Sequence, residues 1–307
     1  MSQNHFICRR TSRVVNSIHN YMSDVKEKIE QEMKRALTDV NAPANLKSSM
    51  QYSLLAGGKR LRPILMMASY HTFQSQSDKV LKSAVALEMI HTYSLIHDDL
   101  PAMDNDDYRR GELTNHKQFN EATAILAGDA LLTHSFELVA NDALLTSEEK
   151  VYILKELANV SGPEEMIAGQ MLDVEGENKT LNLNELEEIH VHKTGALIRF
   201  AIMTGAYLGH ATKDQIQHLN DFAYYLGLIF QVQDDILDIT GDPEKLGKPV
   251  GSDTENEKST YPSLLGLEGA KQKKAAYTNK AEAALELANA KDSYLKELLH
   301  VFGQREY

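Results

Sequence analysis

Three long stretches of the chain, residues 64–100, 129–161 and 270–302, contain neither glycine nor proline. Within each stretch apolar residues recur every three or four positions, the spacing at which side chains share one face of an α-helix. Strict alternation of apolar and polar residues with turn dipeptides, which is typical of β-hairpins, is essentially absent. The pattern therefore predicts an all-α protein.

The length of 307 residues would by itself suggest about two domains. The sequence offers no linker, because it has only seven prolines and 17 glycines, no low-complexity segment and no internal repeat. We therefore expect one large helical domain over residues 24–307, with ample core.

Residues 1–23 differ from the rest because they contain no aspartate or glutamate and carry Arg9, Arg10 and Arg13. This composition can mimic an organellar transit peptide. A disordered basic tail, or a start upstream of a natural beginning near Met22, explains it more simply. We expect residues 1–23 to form a disordered tail.

The overall charge limits the classes of partner. Acidic residues outnumber basic ones by 44 to 32, a net charge of −12, which argues against nucleic acid or an anionic membrane surface as the main partner. No run of 18 apolar residues occurs, so we expect no membrane span. The single cysteine, Cys8, cannot form an intrachain disulfide and fits a reducing compartment such as the cytoplasm.

Two acidic clusters, residues 98–104 and 234–238, each follow a long apolar helical pattern. In the second, Asp238, Asp234 and Gln231 are spaced to share one helix face. Carboxylates stacked in this way repel each other unless a cation lies among them, and hard oxygen ligands that leave room for phosphate oxygens suit Mg²⁺. A single such cluster is more often a solvated helix end. Two of them facing one cavity would hold a diphosphate through metal ions, with these candidate ligands: Asp98, Asp99, Asp104, Asp234 and Asp238.

Basic residues suited to anions surround the first cluster in sequence. The segment 57–63, Gly-Gly-Lys-Arg-Leu-Arg-Pro, combines a flexible turn with three cations, and Pro63 is well placed to open a helix whose N-terminus favours anions. Arg109 and Arg110 follow the cluster and either neutralise it or bind phosphate. His91 precedes Asp98 by two helical turns and is predicted to face the same cavity, although a buried histidine in the core is the alternative.

Further along the chain, Lys193-Thr194 follows His190 and His192. No cysteine or helical His-x3-His pattern accompanies these histidines, so we interpret them as ordinary helix residues rather than zinc ligands. The lysines Lys193, Lys248 and Lys258 would each, taken alone, be surface residues.

Taken together, the motifs resemble the trans-isoprenyl diphosphate synthases, specifically the bacterial-type farnesyl diphosphate synthases. The resemblance covers roughly residues 24–305. The resemblance rests first on residues 57–63 and 91–110. It rests also on these motifs: Gly128-Asp129-Ala130, Gly169-Gln170-Met171-Leu172-Asp173, His192 to Leu197, Phe230 to Asp238, Leu246-Gly247-Lys248 and Lys258 to Pro262.

The resemblance implies a single-domain antiparallel helical bundle around a deep central cavity, usually as a homodimer. It implies condensation of isopentenyl diphosphate with an allylic diphosphate, dimethylallyl or geranyl, assisted by about three Mg²⁺ ions. By this resemblance, isopentenyl diphosphate would be bound by Lys59, Arg62, His91 and Arg110. The metal ions would be bound by Asp98, Asp104, Asp234 and Asp238, with Asp99 as a secondary candidate. The allylic diphosphate would be bound by Arg109, Lys193, Lys248 and Lys258.

Three further expectations follow from this chemistry. The Thr194 hydroxyl and the Gln231 side-chain oxygen would offer dipoles to a carbocation, and Asp173 would orient Lys193. Tyr93, five positions before the first aspartate, would act as a floor that stops the growing chain, so the resemblance favours a C15 product. One alternative is a C20 synthase. Another is a terpene cyclase, a class that usually adds a triad of Asn or Asp, Ser or Thr, and Glu at four-residue spacing, which this sequence lacks. The third is a non-catalytic partner subunit, a class that commonly loses one acidic cluster, whereas both are present here.

Overall fold

The computed structural model describes the backbone of residues 3–75, 78–177, 179–241 and 259–304, and side chains from Ile18 onward within those ranges. In these ranges nearly all of the regular secondary structure is helical, which confirms the all-α prediction. The described strands are β1 (Tyr108–Arg109) and β2 (Glu112–Leu113), a two-residue antiparallel pair that pairs Arg109 with Glu112.

The helices are given in chain order. The first half contains α1 (Gln3–Thr38), α2 (Ala44–Leu54), α3 (Leu61–Phe73), α4 (Leu81–Asp98), α5 (Asn115–Gln118), α6 (Glu121–Ala140) and α7 (Ser147–Ser161). The second half contains α8 (Met166–Gly176), α9 (Leu183–His190), a π-helical turn (Val191–Gly195), α10 (Ala196–Leu208), α11 (Lys213–Thr240), α12 (Tyr261–Leu287) and α13 (Tyr294–Gln304).

Helix α4 lies at the centre of the bundle and ends at the first acidic cluster. It is buried along most of its length, and it packs against α3 on one side and α6 on the other. A helix that is apolar on nearly all sides must be covered on all sides, which explains why α4 carries so few charges. The rigid burial of α4 fixes the position of the side chains at its C-terminal end.

Helix α10 approaches α3 so closely that a Cβ on Gly205 would lie 2.3 Å from the Met66 carbonyl oxygen. Ser69 strengthens this contact by donating from its hydroxyl to the Ile202 carbonyl at 2.6 Å. Helix α11 packs mainly against α12, and α12 begins at a Thr260 capping box with Pro262 in its first turn. These contacts bring the starts of α3 and α10 and the second acidic cluster of α11 toward one end of the bundle.

The prediction of a tail over residues 1–23 is wrong at its C-terminal end. Helix α1 includes Ile18 and Tyr21, and both side chains are buried. The Tyr21 hydroxyl is 2.8 Å from His71 Nδ1, and its ring stacks on Tyr294 of α13 at 3.8 Å between centroids. The polar residues that surround these two positions concealed the apolar face of the helix. The expectation for residues 1–17 stays a prediction.

None of the helices in the described ranges has both the length and the apolar character that crossing a bilayer requires.

Candidate active site

A cavity of about 440 Å³ lies between α3, α4, α8 and the π-helical turn. Its polar lining includes Asp98, Arg62, His91, Lys193 and Thr194. The cavity therefore brings together one member of the first acidic cluster and basic residues from three separate motifs. Its apolar lining comes largely from α8, where Ile167, Met171 and Val174 lie on one face.

Asp98 is the last residue of α4 and is positioned by a neighbour on α8. Its Oδ1 accepts a hydrogen bond of 2.6 Å from Gln170 Nε2. Burial raises the pKa of Asp98 to about 6; the positive charge of Lys193 opposes the shift and the carboxylate of Asp104 adds to it. An ionised Asp98 is therefore held in a place where a cation would stabilise it.

Asp99 differs from Asp98. Adjacent residues of a helix point about 100° apart, so Asp99 does not line the main cavity. It is 3% exposed, and its carboxylate accepts from Arg109 Nε at 2.8 Å and from Nη2 at 2.5 Å. Burial raises the pKa of Asp99 more than the hydrogen bonds of Arg109 lower it. Both residues line a small neighbouring cavity of about 40 Å³ rather than the main one. We therefore treat Asp99 as the partner of Arg109.

Asp104 lies in the loop after α4, yet the backbone returns it to the helix end. Its amide donates to the Asp98 carbonyl at 2.9 Å, and Asn105 follows in the left-handed region with φ of 53°. The residues between Asp99 and Asp104 therefore form a turn that keeps the carboxylates of Asp98 and Asp104 near one another.

His91 lies two turns before Asp98 and lines the same cavity, as its spacing predicted. Its Nε2 is 3.2 Å from Arg62 Nη1. Because a guanidinium can only donate, this nitrogen accepts and the neutral ring carries its proton on Nδ1. Burial lowers the pKa of His91 well below its usual value, and the charges of Arg62, Arg110, Arg109 and Arg60 lower it further. This concentration of positive charge in an acidic protein suits a bound anion.

The Gly-Gly segment before α3 explains how Arg110 comes to lie near His91 and adds to the positive charge there. Gly57 and Gly58 have φ of 81° and 113°, and a Cβ on Gly58 would lie 2.7 Å from the Arg110 guanidinium. Arg110 donates from Nη1 to the Gly57 carbonyl at 2.5 Å. The glycines are therefore needed so that the backbone can lie against this arginine.

One member of the basic trio is not available to a ligand. Arg60 is buried with a φ of 51°, and it donates to Glu88 Oε1 and to the Leu54 carbonyl, each at 2.9 Å. The expectation that all three cations of residues 59–62 form an anion site is therefore corrected. Arg62 lines the cavity, and Lys59 is exposed.

Lys193 and Thr194 lie in the π-helical turn, a rare geometry that often marks functional sites. Lys193 Nζ donates to Asp173 Oδ2 at 2.6 Å, which confirms the predicted orienting contact. The turn is held closely on both sides. A Cβ on Gly169 would lie 2.2 Å from the Lys193 amide nitrogen, and one on Gly227 would lie 3.0 Å from the Gly195 Cα. The backbone that carries Lys193 is thus fixed by glycines on α8 and α11.

Sequence reasoning missed two side chains that shape the site. Gln170 lies in one of the motifs that carry the resemblance, but its contact with Asp98 was not predicted. Glu165, at the start of α8, binds Arg199 of α10, and its Oε2 is 3.3 Å from His192 Nδ1 of the π-helical turn. The helical spacing of Gln170 and Asp173 on one face was the available signal for the first. No local signal identifies Glu165, because its partners lie far along the chain.

The second acidic cluster lies in the last two turns of α11. Gln231 and Asp235 line a cavity of about 170 Å³ that also borders Lys193 and Thr194, so this turn connects the two larger cavities. Asp235 Oδ2 accepts from the Tyr261 amide at 2.8 Å and so anchors the first turn of α12. Asp238 is 3% exposed, whereas Asp234 is partly exposed.

Several predicted residues are not placed together by the structure. Lys248 and Lys258 lie outside the described residues. Within the described ranges, these residues line none of the three cavities named above: Lys59, Asp104, Asp234 and Asp238.

The residues present fit a divalent cation of the hard type. In the described part of the chain, no three histidine, cysteine or acidic side chains converge on one point. Mg²⁺ does not require such a cage, because it is usually held by one or two carboxylates with waters and substrate phosphates. Asp98, with its raised pKa and its link to Asp104, supplies oxygen donors of that kind.

Tyr93 also lines the main cavity and is 6% exposed. Five residues of helix place it roughly 7.5 Å from Asp98 along the axis of α4. Burial, and to a smaller extent the charge of Asp98, raises the pKa of Tyr93 to about 12. Its hydroxyl therefore stays protonated, and the ring provides an unreactive surface in the cavity.

Comparison with known proteins agrees with this geometry. The polyprenyl synthetase family model matches residues 43–299. The farnesyl diphosphate synthase of Geobacillus stearothermophilus is 47% identical over 293 residues, which cover 95% of this chain and 99% of that protein. A chloroplastic geranylgeranyl pyrophosphate synthase of Capsicum annuum is 47% identical over 80% of this chain and 68% of its own length.

A solved structure gives the same result for the fold. The crystal structure described as a putative farnesyl-diphosphate synthase from Marinomonas sp. MED121 superposes with a TM-score of 0.81 at 40% identity, covering 94% of this chain and 99% of that one. Because the family model spans most of the chain and the Geobacillus stearothermophilus enzyme matches 95% of it, the chain belongs to the polyprenyl synthetase family.

Proposed function

We propose that this protein is a farnesyl diphosphate synthase, which condenses isopentenyl diphosphate with dimethylallyl diphosphate and then geranyl diphosphate. The observation that carries the proposal is the main cavity. Asp98 and the Arg62–His91 pair line its polar part, and Tyr93 and the apolar face of α8 line the remainder. Such a lining suits a ligand with a diphosphate head and a hydrocarbon tail.

The two diphosphates would bind to different basic groups. Isopentenyl diphosphate would bind where positive charge is concentrated around His91. The allylic diphosphate would bind nearer the π-helical turn, where Lys193 is oriented by Asp173. The proposed sets are Lys59, Arg62, His91 and Arg110 for the first, and Arg109, Lys193, Lys248 and Lys258 for the second.

Mg²⁺, with about three ions in each site, would neutralise charge on the departing diphosphate. Asp98 and Asp104 of the first cluster would hold it from one side, and Asp234 and Asp238 of the second from the other. The raised pKa of Asp98 supports this assignment, because an ionised carboxylate in that place is stabilised by a metal.

The chemistry requires charge stabilisation rather than a nucleophilic side chain. The allylic C–O bond breaks with both electrons leaving on diphosphate, and the double bond of isopentenyl diphosphate then attacks the resulting carbocation. A proton is finally lost to the departing diphosphate. Thr194 and Gln231 would direct oxygen dipoles at the cation, and both border the cavity of about 170 Å³.

Product length is the finer part of the proposal, since relatives named for C15 and for C20 products are similarly identical to the chain. Tyr93 favours C15. A buried ring about one and a half turns of helix from Asp98 would stop the chain early, whereas a smaller residue would leave room for another C5 unit.

We also propose that the protein works as a homodimer in the cytoplasm. Ile125 and Leu126 on α6 are exposed apolar residues, at 43% and 58%, and a second copy would cover them. The single cysteine fits a reducing compartment. Light scattering coupled to size-exclusion chromatography tests the dimer, which a mass of one chain would contradict.

The decisive experiment incubates the protein with labelled isopentenyl diphosphate, Mg²⁺ and either dimethylallyl or geranyl diphosphate. Chromatography of the hydrolysed products should show C15 as the main species. Tyr93→Phe, which keeps the ring, should also make C15, whereas Tyr93→Ala should shift the product to C20 and longer chains. A wild-type protein that makes mainly C20 would contradict the assigned length.

Two control arms distinguish the alternatives. Incubation with an allylic diphosphate alone should release no hydrocarbon, whereas a terpene cyclase would release one. Absence of turnover with both substrates and Mg²⁺ would favour a non-catalytic partner subunit.

A further inference from the structure

His97 is a cavity residue that the proposed chemistry does not use. It lies on α4 between Tyr93 and Asp98, and its imidazole lines the main cavity. On its other side the ring rests against α6, where Nε2 lies 3.1 Å from the Ile125 carbonyl oxygen. Since a carbonyl can only accept, Nε2 carries the proton and donates this hydrogen bond.

Gly128 makes this position of the imidazole possible. A Cβ at residue 128 would lie 2.2 Å from His97 Nε2 and 2.6 Å from Cδ2. The ring therefore lies directly on the backbone of α6, in space that any other residue at position 128 would occupy. The hydrogen bond to Ile125 and the absence of a side chain at Gly128 together hold the ring in one orientation.

The same imidazole contacts Tyr93, which lies one helical turn earlier. The two ring centroids are 5.8 Å apart with an interplanar angle of 78°, an edge-to-face arrangement. Tyr93 therefore rests against a ring that is itself fixed on α6. If His97 were absent or displaced, the Tyr93 ring would have freedom to turn along the cavity wall.

We propose that His97 is a positioning residue for product length: it fixes the Tyr93 ring and so sets how long a hydrocarbon the cavity accepts. Gly128 takes part by leaving room for the imidazole. The inference rests on the proposed function, because it assumes that the cavity holds the growing chain. It concerns a change in product length relative to wild type, whichever product the wild type makes.

Two substitutions should change the chain length of the product in opposite directions. His97→Ala removes the support of Tyr93, and the ratio of the next longer product to the wild-type product should rise roughly two- to tenfold, the range an aromatic pair contributes. Gly128→Ala should force the imidazole toward Tyr93 and into the cavity, because the ring is the movable end of a side chain. The share of shorter product should then rise.

A double variant tests whether His97 acts through Tyr93. Adding His97→Ala to Tyr93→Ala should cause little further lengthening, because the supported ring is already gone. Asp129→Asn is the matched control: its carboxylate is 4.0 Å from His97 Nε2, but its removal leaves the ring in place. That variant should keep the wild-type product distribution.

A readout without turnover covers any inactive variant. Calorimetry should show that His97→Ala binds geranylgeranyl diphosphate better, relative to farnesyl diphosphate, than wild type does. An unchanged product distribution and affinity ratio in His97→Ala would overturn the proposal, as would a full additive shift in the double variant. A wild-type protein with no prenyl transfer would instead overturn the proposed function, whereas the affinity ratio would still test His97.

Discussion

Each of the two acidic clusters begins with two adjacent aspartates. In both pairs the second aspartate makes a contact that holds another part of the chain in place. Asp99 is 3% exposed and binds Arg109, and Asp235 is 6% exposed and accepts from the Tyr261 amide at the start of α12. Adjacent residues point about 100° apart on a helix, so the two members of a pair have different surroundings. In the first pair only Asp98 lines the main cavity, whereas in the second pair Asp235 borders the cavity of about 170 Å³ and Asp234 does not. We propose that each pair nonetheless combines a ligand position, its first member, with an anchor, its second.

The clusters differ in what fixes their geometry. The first lies at the end of α4, where a loop returns Asp104 to Asp98 through a backbone hydrogen bond of 2.9 Å. The second lies inside α11, where helical spacing places Asp234 and Asp238 on one face. The first cluster thus depends on a loop and on the anchor of Arg109, whereas the second depends on the rigidity of one helix.

The largest expected effect comes from removing the first member of either pair. Asp98→Ala and Asp234→Ala should each lower turnover at least about a hundred- to thousandfold, the size of effect seen when one group that stabilises developing charge is removed. Steady-state rates with saturating substrates and Mg²⁺ measure the effect, and circular dichroism should show that each variant remains folded. Near-normal turnover in Asp234→Ala would refute the two-cluster mechanism.

Removing the second member of each pair should instead lower stability. Asp99→Ala removes the carboxylate that Arg109 hydrogen-bonds and leaves the guanidinium with Asp106 at 3.6 Å, and we expect a loss of about 1–3 kcal/mol. Asp235→Ala leaves the buried Tyr261 amide without its acceptor while the Thr260 capping box remains, and the loss should be about 0.5–2 kcal/mol. Urea unfolding measures both.

Activity provides the comparison for these anchor variants. At a temperature where they remain folded, each should keep more turnover than Asp98→Ala or Asp234→Ala. If Asp99→Ala were as inactive as Asp98→Ala while losing no stability, Asp99 would be a metal ligand and the division of roles within the first pair would be wrong.

Helical periodicity and motif spacing predicted much of this molecule. The absence of glycine and proline from residues 64–100 and 129–161 indicated the central helices, and the seven-residue spacing placed His91 and Asp98 in one cavity. These predictions depended on regular helix geometry, which a local sequence pattern encodes.

The rest depends on contacts between distant segments. Nothing near Arg60 in sequence shows that Glu88, 28 residues away, would bind it, and nothing in residues 98–99 shows which carboxylate Arg109 would bind. Glu165 contacts partners 27 and 34 residues away. Ile18 and Tyr21 were assigned to a tail because their packing partners, such as Tyr294, lie at the other end of the chain.

The smallest expected effect concerns the pH dependence of stability in metal-free buffer. The pKa of Asp98 in the folded protein is about 6, above its ordinary value of 3.8. The folded state therefore binds this proton more readily than the unfolded state does. The resulting stability is fully present below pH 3.8 and is lost as the pH rises through about 6.

Asp98→Asn should remove this dependence, so that the variant is more stable than wild type by about 1 kcal/mol at pH 7.5, with the difference disappearing toward pH 4. The effect is smaller than the full pKa shift would give, because the carboxylate is partly exposed to solvent. Urea unfolding with a chelator present at both pH values measures it, and Asp292→Asn, an exposed carboxylate, is the control. Asp98→Asn should thus raise the free energy of unfolding at pH 7.5, whereas Asp99→Ala should lower it. If both substitutions destabilised the protein at pH 7.5, the two adjacent aspartates would share one structural role, and the distinction between ligand and anchor would fail for the first cluster.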